Sequence, residues 1–94
     1  ELIEVWAPKL HDPHLATGSF AVNMDGGVFF LCGKCNEVKE LSKDGNLLDE
    51  WGEEGTGPGQ FKGPRGIAAG PANEIYVADT GNHRIQKFRA LVKA

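Results

Sequence analysis

Ile75-Tyr76-Val77-Ala78-Asp79-Thr80-Gly81-Asn82-His83-Arg84-Ile85-Gln86-Lys87-Phe88 decides the fold. Two short apolar runs flank a turn rich in Asp, Gly and Asn, which reads as a strand, a tight reversal and a second strand. Working outward toward the N-terminus, the same order of runs occurs once before. Phe29-Phe30-Leu31-Cys32 matches Ile75-Tyr76-Val77-Ala78 at an offset of 46, and Val38-Lys39-Glu40-Leu41 matches Ile85-Gln86-Lys87-Phe88 at 47. Leu2-Ile3-Glu4-Val5-Trp6-Ala7 matches Leu47-Leu48-Asp49-Glu50-Trp51-Gly52 at 45. The offset drifts by a residue at each junction, where loops tolerate insertions. Self-similarity with a period in the forties marks a propeller blade or a solenoid unit, and no single repeat can cover its own apolar faces.

The runs between turn signals place strands at Leu2 to Trp6, Phe20 to Asn23, Val28 to Cys32, Glu37 to Leu41, Leu47 to Trp51, Gly66 to Ala69, Glu74 to Ala78 and Arg84 to Phe88. A long loop from Gly52 to Pro64 carries glycines at 52, 55, 57, 59 and 63. Asp44-Gly45 predicts a type I′ hairpin turn, whose central residues need positive φ. Helical periodicity is confined to Phe88 to Lys93. The order of strands is one, then four, then three. Four-stranded antiparallel sheets at this spacing are propeller blades. Residues 14–52 then form a complete blade, and 53–90 form a three-stranded blade lacking its outer strand. Residues 1–7 are an orphan strand of the missing type. Two blades cannot enclose an axis, so the expected donor of that strand is a neighbouring copy. The fold class is all-β.

The chain has 94 residues and a net charge of -3. A monomer of this size buries only ~65% of its unfolded surface. Its 13 glycines are about twice the usual share of ~7%, as a chain of short strands and tight turns requires. The acidic balance argues against nucleic acid as a partner, which calls for clustered Lys and Arg. No run approaches the ~20 apolar residues of a membrane-spanning helix, so no membrane partner is expected. The chain starts at Glu1 without a secretion signal or an initiator Met, as a processed or excised piece would. Two cysteines leave the redox compartment, and with it the localisation, undecided.

Gly55-Thr56-Gly57-Pro58-Gly59-Gln60-Phe61, Pro64-Arg65-Gly66-Ile67-Ala68 and the stretch from Ile75 to Phe88 together resemble the NHL repeat family. Phe61 and Pro64 anchor the lead-in to the innermost strand, the glycines permit positive φ, and Asp79 and Asn82 are suited to bonding turn amides. The first repeat departs from the pattern: Gly33-Lys34-Cys35-Asn36-Glu37 stands in place of Asp79 to Arg84, and Pro8 to His14 replaces the Gly-rich lead-in. The resemblance implies a closed ring of roughly six blades. With two blades per chain, that is a homotrimer joined by strand exchange. It also implies a non-enzymatic scaffold that recognises protein or a small ligand at its loop face or central channel. The rival expectations are a metal-dependent enzyme, a piece of a longer propeller, and single-stranded RNA binding, which the acidity disfavours.

The loop-face candidates are Lys34, Lys62, Arg65, Asn82, His83 and Arg84. No Ser-His-Asp set or carboxylate pair stands out as catalytic. Cys32-Gly33-Lys34-Cys35 has zinc-ligand spacing, and His11 and His14 would reach the same end of the blade. The alternatives are that Cys32 is a small apolar strand residue matching Ala78 with Cys35 incidental, or that the two form a local disulfide. His83 and Asp79 recur within the repeat signature, which suggests that they pack and bond at the blade rim. Trp6 and Trp51 occupy equivalent places and are expected between blades.

Overall fold

Runs of four to six apolar or alternating residues, most of them closed by Gly, Asn or Asp, fold as short antiparallel strands. The computed structural model describes residues 19–24 and 26–89. The first sheet is a meander of β1 (Ser19–Val22), β2 (Val28–Cys32), β3 (Glu37–Leu41) and β4 (Leu47–Trp51), paired in that order. A two-residue parallel pair, β5 (Glu53–Glu54) with β6 (Gln60–Phe61), follows inside the long loop. The second sheet is β7 (Gly66–Ala69), β8 (Glu74–Asp79) and β9 (Arg84–Arg89). This is an all-β, blade-like arrangement. The orphan strand expected at 2–6 and most of the helical stretch expected at 88–93 lie outside the described residues; Phe88 and Arg89 belong to β9.

The hydrogen-bond ladders correct the repeat alignment. Ser19 faces Leu31 as Gly66 faces Ala78, and Cys32 faces Glu37 as Asp79 faces Arg84. The two sheets are therefore related by one constant step of 47 residues from Ser19 to Leu41. Cys32 corresponds to Asp79 rather than Ala78. Continuous apolar runs slide by one residue without penalty in a sequence comparison, whereas a one-residue slip in the sheet turns every side chain to the other face.

Two turns differ in kind. Ser42 to Asn46 has positive φ only at Gly45 (87°), so it is a three-residue loop with a left-handed glycine rather than the expected type I′ turn. The Ser42 hydroxyl oxygen accepts from the Asp44 and Asn46 N–H groups, favouring that form. In the Pro71–Glu74 turn both central residues, Ala72 (φ 55°) and Asn73 (φ 62°), are left-handed, as type I′ requires.

One core joins the sheets. Phe29, Leu31 and Val38 of the first meet Ile75 and Val77 of the second, with Phe61 from the long loop between them. Trp51 closes the seam as expected, its ring centroid 6.3 Å from Phe29 and 5.6 Å from Phe88. Its indole Nε1–H is buried without a partner. Outside this seam apolar side chains remain uncovered, notably Phe20 (49% exposed), Val22 (63%) and Ile85 (71%).

Candidate functional site

The turn after β2, the turn after β8 and the loop from 52 to 65 gather at one end of the two sheets. Strand direction brings them there, because β2 and β8 end where β4 hands the chain on to the next sheet. Asp79 is the hub of the second sheet's share. It is fully buried. Its Oδ1 accepts from the Lys62 N–H (2.8 Å), and its Oδ2 accepts from Asn82 Nδ2 (2.9 Å), Arg84 Nε (2.9 Å) and Gln86 Nε2 (3.1 Å). Burial works to raise the Asp79 pKa, but the donors from Asn82, Lys62, Arg84 and Gln86 together outweigh it and hold the carboxyl below its usual value.

The same donors reach the lead-in loop. Arg84 donates to the Thr56, Gly57 and Gln60 carbonyl oxygens, Asn82 to Gly55 O, and Gln86 to Gln60 O. Gly81 closes the arrangement. Its N–H donates to Lys62 O at 2.8 Å, and a Cβ there would lie only 2.1 Å from that oxygen. Four side chains from two strands and the turn between them thus fasten six residues of loop: Gly55, Thr56, Gly57, Gly59, Gln60 and Lys62.

This corrects the loop-face reading of two candidates. Asn82 and Arg84 spend their donors inside the molecule, and Asp79 binds the lead-in loop rather than the amides of its own turn. His83 is exposed, and its ring has no hydrogen bond or ion pair among the described residues. Its contribution is its backbone: φ 56° and an N–H bond to Thr80 O close the turn. Sequence reasoning missed Gln86. Its equivalence to Lys39 in a half-buried strand position was the available signal.

The remaining cations are grouped differently. Lys34 and Arg65 line one cleft of about 520 Å³ between the sheets, together with Ser19, Leu31, Gly33, Gly63 and Pro64. Neither side chain has a hydrogen bond or ion pair among the described residues. Lys62 is exposed beside them, its main chain held by Asp79 and Gly81. The first sheet's own polar cluster lies elsewhere: Lys39 donates to Glu37 and, at 2.9 Å, to Glu50. Burial opposes the charge on Lys39, yet the two carboxylates prevail and its pKa is raised.

Cys32 and Cys35 form a disulfide. In that state they offer no thiolate to a metal, and Cys35 is not incidental to the turn. His11 and His14 lie outside the described residues, and no group of three or more His, Cys, Asp or Glu is placed to hold a metal among those described.

Residues 61–88, which contain the Asp79 hub, match the NHL repeat. The chain carries an NHL repeat. The mouse peptidyl-glycine alpha-amidating monooxygenase is 40% identical over 74 residues, covering 72% of this chain and 8% of that protein. Human NHL repeat-containing protein 3 is 39% identical over 69 residues, 73% of this chain and 18% of that protein. The Drosophila protein brain tumor is 54% identical over 39 residues, 42% of this chain and 4% of that protein. The chain thus spans less than a fifth of the length of these relatives. The NHL signature residues Asp79, Asn82 and Arg84 act here as the fastening of a loop.

Proposed function

We propose that this chain supplies two adjacent blades of a non-enzymatic recognition propeller, and that the cleft between Lys34 and Arg65 is its ligand seat. One observation carries the reading: two cations with no partner among the described residues share an open cleft, on a chain that is acidic as a whole. Every other cation at this end is either engaged or outside the cleft. An acidic protein segment fits such a seat, since Lys34 and Arg65 can each take a carboxylate while Leu31 and Pro64 line an apolar floor.

Titration with a hexaglutamate peptide tests this. The charge-reversed K34E/R65E variant should lose about tenfold or more in affinity, because each charged hydrogen bond contributes roughly 1.5–3 kcal/mol, with melting unchanged. Equal binding by both proteins overturns the seat. Preferential, steeply salt-dependent binding of random single-stranded RNA overturns the choice of a peptide.

A second reading concerns assembly. Val38 is buried in the seam, whereas Ile85, 47 positions later, is 71% exposed. Ile67 and Ala69 are half-buried against the first sheet, whereas their counterparts Phe20 and Val22 are 49% and 63% exposed. Each uncovered residue sits on the face that its counterpart buries. Among the described residues β9 pairs only with β8, where β3 also pairs with β4. These contrasts support sister blades on both sides, with residues 1–7 completing the second sheet of a neighbouring copy in a homotrimeric ring of roughly six blades. A solution mass at the trimer, lost on deletion of residues 1–7, is the expected result. A stable monomer overturns the ring.

A further inference from the structure

We propose that the Cys32–Cys35 pair is a redox control on the shape of the cleft; this rests on the seat between Lys34 and Arg65 only for its effect on ligand. The two cysteines stand where the second repeat has Asp79 and Asn82. There the same positions are joined by a hydrogen bond of 2.9 Å. Both turns end in a left-handed residue, Asn36 (φ 59°) and His83 (φ 56°), so the backbone problem is the same. The second repeat adds Arg84 and Gln86 to the tie. Their counterparts Glu37 and Lys39 bond each other and Glu50 instead. Among the described residues, the first turn therefore has two side-chain ties across its base: the covalent one, and a hydrogen bond of 3.0 Å that the Cys35 N–H donates to Cys32 Sγ.

That turn is a wall of the cleft. Lys34 lies within the loop the disulfide closes. Gly33 is pressed on the second sheet's lead-in, where a Cβ would lie 2.7 Å from Pro64 O. The Asn36 Oδ1 accepts from the Gly63 N–H at 2.9 Å, linking turn to lead-in. Reduction removes the covalent tie and leaves only the weak N–H to sulfur bond, so the turn can widen, which loosens the Asn36–Gly63 bond and displaces Lys34 from Arg65.

Cys32 is fully buried and Cys35 half-buried, so exchange starts at Cys35. A thiolate of a dithiol reductant attacks Cys35 Sγ, and the Cys32 sulfur leaves as thiolate and takes a proton. The reductant's second thiol then attacks its own sulfur of the mixed disulfide and frees Cys35. Two electrons and two protons pass to the protein, and the reductant becomes a cyclic disulfide.

Amide hydrogen exchange on the oxidised and dithiothreitol-reduced chain tests the idea. Gly63 should exchange about tenfold faster after reduction. Gly81, whose amide serves the sulfur-free turn, should not change. C32A/C35A should match the reduced chain and ignore reductant. Hexaglutamate affinity should fall by about threefold or more on reduction. Equal Gly63 exchange in both wild-type redox states overturns the control, whatever the peptide does. A Gly63 change with no peptide binding in either state upholds the control and overturns the ligand seat instead.

Discussion

The two repeats close the same turn with opposite chemistry. The second uses a buried carboxylate with four donors, three of them side chains that also reach into the Gly-rich loop. The first uses a disulfide, and moves its charged residues to a separate Glu37–Lys39–Glu50 cluster. Backbone step, strand register and left-handed turn residue are common to both; the side chains are not. The comparison shows that the repeat is a backbone solution. The residues most typical of its signature are one way of stabilising that solution, and their role extends beyond the turn to the loop they fasten.

The sharpest way to break this contrast is Asp79→Ala. It leaves Arg84 without its charge partner and strips acceptors from Lys62, Asn82 and Gln86. A cost of about 3 kcal/mol is expected in denaturant unfolding, as for loss of charge-assisted hydrogen bonds around a buried carboxylate, since Arg84 itself is 32% exposed and keeps its carbonyl acceptors. A loss below that of the first repeat's counterpart would contradict the hub. That counterpart is C32A/C35A, which opens a loop of four residues and should cost about 2 kcal/mol by loop-closure entropy.

Acid separates the repeats further. The Asp79 pKa is lower in the folded chain than its ordinary value of about 3.9. Its contribution is fully present above that ordinary value and is lost as pH falls through the lower, folded one. Unfolding monitored between about pH 5 and pH 2 should therefore steepen in the wild type and flatten in Asp79→Asn, with the disulfide tie unaffected. The smallest effect is expected at the Pro71–Glu74 turn. The first repeat's counterpart of Asn73 is Gly26, with φ 91°, while Ala72 holds φ 55° against the preference of an L side chain. Ala72→Gly should raise stability by about 0.5–1 kcal/mol in the same unfolding assay.

Much of the fold was legible. Val28–Cys32, Glu37–Leu41, Leu47–Trp51 and Gly66–Ala69 begin and end where their apolar runs and turn residues place them. The β5–β6 pair was not, because two residues of ladder leave no periodic trace; Gly55 N–H donating to Phe61 O holds it. The site was less legible. A charged residue in a loop looks alike whether it faces solvent, as Lys34 does, or folds back on main-chain carbonyls, as Arg84 does. The meeting of Lys34 with Arg65 depends on packing between sheets, which lies beyond any local pattern. The cysteine pair was visible as a spacing, but its meaning appeared only once the ladder set it opposite Asp79 and Asn82.

The position of Trp51 has an optical consequence. An indole wedged between rings of two different sheets, with its N–H unbonded, senses directly any water that enters when those sheets part. With Trp6 replaced by Phe, its emission wavelength becomes an internal gauge of the gap, readable in real time without any attached dye.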